Sequence, residues 1–236
     1  LPEHPPVYIG SRVVDVQEMF ASVYGLQRDE LEHAFDGYMH DGETFAIGSL
    51  TAVARSLPGH TPDSMGIQVG DTVFAGDSLS CKWTFHVVIR LAYDNCRPDV
   101  GTARVDFPGG DANALYNSIK SLFQLSEDFR IFSGKSLFSG PQSFKYSSSS
   151  GHDYPANRDK SCYSTVADQL AHNKHVGGPE ANLDAFVVMR SQRDAGLGAP
   201  KLLHPSLQVN LRGGRMPKPD ELGRSWIRIP LSGELP

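Results

Sequence analysis

Leu57-Pro58-Gly59-His60-Thr61-Pro62-Asp63-Ser64, and then Val73-Phe74-Ala75-Gly76-Asp77-Ser78-Leu79, decide how this chain is read. A histidine stands in a Gly-His-Thr turn after a strand-like run, and an aspartate stands at the end of a later strand. Between them, residues 64–69 and 72–74 read as two strands around the Gly70-Asp71 turn, a hairpin signal. The hairpin returns the chain to the same end of a sheet, so the His60 imidazole and the Asp77 carboxylate are placed to share one ion. His and Asp at strand ends, each preceded by Gly, suit a metal site. The same residues are compatible with ordinary turns, since Gly-Asp is a common turn dipeptide. That alternative weakens at Gly151-His152-Asp153-Tyr154-Pro155, where the Gly-His grammar returns.

Working outward, residues 7–9 read as a short strand, and residues 13–23 carry apolar Val16, Met19, Phe20 and Val23 at helical spacing with Asp15 as cap. A more polar helix over 26–35 follows. Residues 45–47 and 50–56 are strands broken by Gly or Asp. Asp111 caps a helix over 112–123, in which Leu115, Ile119 and Leu122 repeat at i, i+4, i+7. A strand over 129–132, a helix capped by Ser164 and running to His172, a helix over 183–193, and an extended tail over 208–211 and 226–231 complete the pattern. Strands mixed with helices point to an α+β layered fold.

Two segments break it. Residues 80–97 (SCKWTFHVVIRLAYDNCR) follow Asp77 closely, and residues 135–150 (KSLFSGPQSFKYSSSS) precede His152. The second ends in four serines, a low-complexity run without packing pattern. Both are open to reading as ordinary surface loops, which tolerate insertion.

Composition narrows the function classes. At 39% hydrophobic and 21% charged residues the 236-residue chain is globular. A net charge of −5 and no Lys/Arg run exclude an electrostatic nucleic-acid binder. No apolar run reaches the roughly 18 residues of a membrane span. Cys81, Cys96 and Cys162 form no Cys-x-x-Cys pair, so the default is a reducing, cytoplasmic setting, with a mitochondrial one open if a transit peptide precedes Leu1. Cys81, His86 and Cys96 lie inside the first misfit segment. His172 and His175 suit a solvated helix end better than a metal pair, and Gly109-Gly110-Asp111 lacks the Lys-Ser/Thr of a phosphate loop.

HTPDS, VFAGDSL, GTARVDFPGGD, SGHDYP and PSLQVN together resemble the metallo-β-lactamase superfamily, most closely its persulfide dioxygenase branch. The resemblance covers residues 6–79, 98–134 and 151–231. It implies an αββα sandwich over residues 1–236, incomplete at the N-terminus, with non-family insertions at 80–97 and 135–150. It implies a metal set of His60, Asp77 and His152, and glutathione held by Arg104 and Tyr154. An arginine fork suits the tripeptide's carboxylate and a phenol supplies a directional hydrogen bond. Asp106 is read either as a partner in the Arg104 segment or as an ordinary loop carboxylate. The implied cofactor is ferrous iron, with zinc as alternative; the implied substrate is glutathione persulfide, oxidised to sulfite with O2, and an oligomer stays open.

The family's His-x-His-x-Asp-His motif has no counterpart here, since His4, His33 and His40 are isolated. The expectation is therefore one intact sheet, a second sheet short of strands, and little dioxygenase activity in the chain as written. A glyoxalase II-like zinc thioesterase and a non-catalytic truncated paralogue or faulty gene product are the alternatives.

Overall fold

The computed structural model describes residues 5–81, 100–132, 163–173, 175–197 and 202–230. Strand β1 (Tyr8–Gly10) leads into helix α1 (Val13–Tyr24), a short helix α2 (Arg28–Leu31) and strand β2 (Gly37–Met39). Strands β3 (Thr44–Ile47), β4 (Leu50–Ser56), β5 (Met65–Val69), β6 (Thr72–Phe74) and β7 (Leu79–Cys81) follow. After β8 (Val100–Thr102) come α3 (Ala112–Leu122), β9 (Arg130–Phe132), β10 (Tyr163–Thr165), α4 (Val166–His172), α5 (Leu183–Asp194) and α6 (Leu203–Asn210).

Six strands form one mixed sheet in the order β10-β9-β6-β5-β4-β3, while β1 pairs in parallel with β2 and β7 antiparallel with β8. Among the described residues there is thus one large sheet and two short strand pairs. Each strand of the meander β3 to β6 pairs antiparallel with the next, the order that short turn-separated strands favour.

One face of the sheet is core. Val73 and Ile131 point into a cluster with Leu115, Ile119 and Leu122 from α3 and Phe186 from α5. The apolar stripe of α3 makes this packing, and Asp111 starts the helix by accepting the Asn113 N–H at 2.7 Å. A second cluster joins Val13, Val16, Phe20 and Tyr24 of α1 to Leu26 and Leu211. Beside it the Glu30–Arg212 ion pair is buried, with side chains 7% and 5% exposed.

The opposite face carries an aromatic row. Phe74, Phe132 and Tyr163 are in register across β6, β9 and β10, with ring centroids 5.2 and 5.4 Å apart. Phe74 is 49% and Tyr163 41% exposed. Contiguous exposed aromatic surface of this kind drives association. The isolated chain should therefore bind an apolar fluorescent dye and self-associate in sedimentation, and Phe74→Lys should reduce both. A monomer that takes up no dye would contradict this.

Both misfit segments sit between strands that pair directly. Leu79 pairs with Thr102 across the first segment, and Phe132 pairs with Tyr163 across residues 133–162, which contain the second. Within the first segment, Ser80 and Cys81 belong to β7 and pair with Gly101 and Val100.

Four sequence expectations change. Helix α1 is capped by Arg12 without a side-chain bond, and Asp15 instead pairs with Arg12 at 3.0 Å. The helix expected over 26–35 keeps one turn, held by a capping box between Gln27 and Glu30. Thr165, not Ser164, caps α4, because it is the Thr165 side chain that accepts the Asp168 N–H, at 3.0 Å. The tail over 208–211 is helical through Asn210, and residues 226–230 form neither helix nor strand. There the Gln208 amide takes a ladder's place: it donates to the Arg228 carbonyl at 2.8 Å and accepts from its N–H at 2.9 Å.

Candidate metal centre

The loop after β4 is built against α3. Leu57 is fully buried, the Pro58 carbonyl accepts from Ser118 Oγ at 2.7 Å, and the Gly59 carbonyl accepts from the Asp111 N–H at 2.9 Å. Gly59 has φ +139, and a Cβ there would collide with the backbone of Leu115. A glycine is required because two backbones meet at this point. His60 is the next residue.

The loop after β6 starts with the Ala75 N–H on the Phe132 carbonyl at 2.8 Å and turns at Gly76, φ +55. Buried Ser78 then donates from Oγ to the Leu57 carbonyl at 3.0 Å. That single bond ties the two loops together. It brings His60 Nε2 to 3.9 Å from Asp77 Oδ2, with the carboxylate half-exposed.

The imidazole has a set orientation. Its Nδ1 lies 2.8 Å from the Arg104 carbonyl oxygen, which only accepts, so Nδ1 carries a proton and, in the neutral imidazole, the lone pair is on Nε2. Phe107 meets the ring edge-on at 4.7 Å between centroids. The Arg104 guanidinium lies over Phe107 at 5.0 Å and makes a two-point ion pair with Asp106. Hydrogen bonding from Arg104 holds the Asp106 carboxyl below its ordinary value, and the same bond raises Arg104. Asp106 is thus the partner of Arg104, the first of its two readings.

His60 and Asp77 fit a shared metal. Ligand distances of about 2.0–2.2 Å at a tetrahedral centre put two donor atoms about 3.4 Å apart. The 3.9 Å separation needs about 0.5 Å of closure, within reach of a half-exposed carboxylate. A histidine donating its other N–H to a backbone carbonyl is also how protein metal ligands are held. Among the described residues no group of three His, Cys, Asp or Glu gathers. His152 and Tyr154 lie outside the described residues. His172 and His175 do not join the site: the first bonds the Asp168 carbonyl of its own helix, the second meets Arg193 at 3.2 Å.

Sequence reading did not find Ser78, Ser118, Arg190 or Asp194, which hold the two loops and the Arg104 segment. Serine in a loop and an Arg/Asp pair on a helix carry no signal that distinguishes them from surface residues.

Scanned against family models, the chain matches none. It is 36% identical over 228 residues to a probable metallo-hydrolase of Burkholderia pseudomallei, covering 95% of this chain and 69% of that protein. The chain belongs to the metallo-β-lactamase superfamily. This superfamily member is also 36% identical over 228 residues to Glyoxylase B2 of Dictyostelium discoideum, spanning 95% of this chain and 66% of that relative. A beta-lactamase hydrolase-like protein of Xylella fastidiosa is 34% identical over 229 residues, and the chain spans 45% of its length. ETHE1 from Myxococcus xanthus shares the fold, at 24% identity and a TM-score of 0.54 over 78% of this chain and 63% of that one. These relations show the metallo-β-lactamase-type α+β fold of the superfamily member described here.

Proposed function

We propose that this chain carries part of the metal centre of a glutathione-dependent sulfur dioxygenase, with His60 and Asp77 as two of its ligands and His152 as the candidate third. The observation that supports it is the His60–Asp77 pair, with Nδ1 fixed on the Arg104 carbonyl and Nε2 turned toward the carboxylate. His60 contributes a neutral donor of set tautomer, and Asp77 a negative charge that offsets the cation's. Two His and one carboxylate on one face of ferrous iron leave open positions, and iron supplies the redox chemistry that oxidation of a persulfide by O2 needs. Arg104 serves the substrate by exchanging Asp106 for a glutathione carboxylate or by bridging both, since its fork is already engaged. Tyr154 supplies a hydrogen bond to the same tripeptide.

The names of the relatives favour a second reading, a glyoxalase II-like hydrolase, in which zinc would activate water toward a glutathione thioester. The family arginine and phenol serve either substrate, so metal content separates the readings.

The test loads the chain anaerobically with ferrous iron or zinc and measures bound metal and O2 consumption with glutathione persulfide. Iron bound at one per chain and lost in His60→Ala and Asp77→Ala is expected; two zincs with thioesterase turnover would favour the hydrolase, and no metal the non-catalytic reading. The sequence has no His-x-His-x-Asp-His motif, and in the family the histidine matching His152 lies toward a second metal position, so it completes a facial triad poorly. Oxygen uptake by the chain as written should therefore be small. It should rise when a relative's His-x-His-x-Asp-His segment is supplied and residues 80–97 and 135–150 are removed, the ladder closing through Leu79–Thr102 and Phe132–Tyr163. Equal turnover by the unaltered chain would overturn this account.

A further inference from the structure

We propose that Arg190 and Asp194 are positioning residues for His60, holding the backbone of residues 102–105 so that the Arg104 carbonyl keeps the imidazole in one tautomer and aimed at Asp77. The pair stands one turn apart on α5 and its side chains are 6% and 5% exposed. Arg190 Nη1 donates to the Thr102 carbonyl at 3.2 Å and the Ala103 carbonyl at 3.0 Å. Asp194 Oδ2 accepts the Val105 N–H at 2.9 Å. Peptide groups on both sides of Arg104 are therefore bound to the helix, and the Arg104 carbonyl between them accepts from His60.

Stability alone is a poor explanation for this pair. Buried ion pairs often contribute nothing net, and Arg190 Nε is buried without a hydrogen-bond partner among the described residues. Position is what the clamp supplies. Helix α5 is anchored in the core by Phe186, whose ring lies 5.4 Å from that of Tyr116 on α3, and α3 also carries the His60 loop through Ser118. The clamp therefore refers the Arg104 carbonyl and the His60 loop to the same helix pair. A neutral imidazole without a fixed acceptor samples both tautomers, and with Nε2 protonated it has no lone pair facing Asp77.

The consequence for metal affinity rests on the metal-site reading above; the consequence for the imidazole does not. The full-length chain, nitrogen-15 labelled, metal-free and at a pH where histidine is neutral, is examined by long-range proton–nitrogen correlation at His60. A single Nδ1–H tautomer is expected in the wild type and a mixture in Arg190→Lys, with Asp194→Asn as the second variant should the first fail to fold. Glu30→Gln breaks the other buried ion pair, beside the second cluster, and should leave His60 unchanged at a comparable loss of stability. Cobalt affinity should fall 10–100-fold with Arg190→Lys and stay unchanged with Glu30→Gln. A mixed tautomer in the wild type, or an unchanged one in a folded clamp variant, overturns the proposal. A tautomer change in a chain that binds no cobalt supports the clamp and overturns the metal reading.

Discussion

Asp194→Ala should lower the unfolding free energy by about 3–5 kcal/mol, the cost of leaving one member of a buried ion pair uncompensated. Asp194 accepts from Arg190 Nη2 at 2.5 Å and from the Val105 N–H, so alanine orphans a buried cation and a backbone donor together. Burial already pulls the Arg190 guanidinium below its ordinary value, with the nearby Asp194 charge opposing that shift. Without the carboxylate, desolvation and the Arg193 charge are opposed only by the more weakly acting Asp106. Against a total stability of about 5–15 kcal/mol, the loss is a large fraction of the stability, and it falls on the segment that orients His60. Urea unfolding followed by far-UV circular dichroism measures it. A loss below about 1 kcal/mol would place Asp194 among solvent-screened surface pairs, contrary to its burial.

Gly59→Ala should cost roughly 2–6 kcal/mol, from about 1–3 for a side chain held at a strained backbone angle and about 1–3 for overpacking. The residue has φ +139, and its Cβ would enter the space of the Leu115 N and Cα, which belong to a helix and cannot step aside. Relief requires the loop and α3 to part, stretching the Asp111 N–H to Gly59 carbonyl bond and the Ser118 bond to Pro58. His60 then moves with the loop, so affinity for a divalent metal should fall along with stability. Gly48→Ala is the matched comparison: φ is +61 and nothing lies within 4 Å of the added carbon. It should cost only the left-handed backbone penalty of about 1–2 kcal/mol and leave the site untouched. Equal stability losses for the two glycine substitutions would show that close approach to α3 is not what requires Gly59.

What the sequence determined by itself is the local and periodic part of this molecule. The meander from β3 to β6 was legible because its turns are punctuated by Gly and Asp. Helix α3 was legible because Leu115, Ile119 and Leu122 repeat at helical spacing behind an Asp cap. The five motifs led to the superfamily, and two donors, His60 and Asp77, were legible because each ends a strand-like run behind a glycine. Tertiary structure decided whatever depends on partners distant in sequence. The Gln208 side chain reads as an unremarkable polar residue until it meets the Arg228 backbone, which is why a strand-like tail docks on a helix. Ser164 and Thr165 are equal as caps in a sequence, and the fold chose between them by turning Ser164 Oγ to the buried Gln169 amide and Thr165 Oγ1 to the Asp168 N–H. Arg190 and Asp194 carry no signal in the sequence, and only the packing of α5 over residues 102–105, 88 positions away for the bond to Thr102, brings them to the segment that meets His60. Spacing along the chain specifies which groups share a face. Which face is dry, and whose backbone it meets there, is settled by packing.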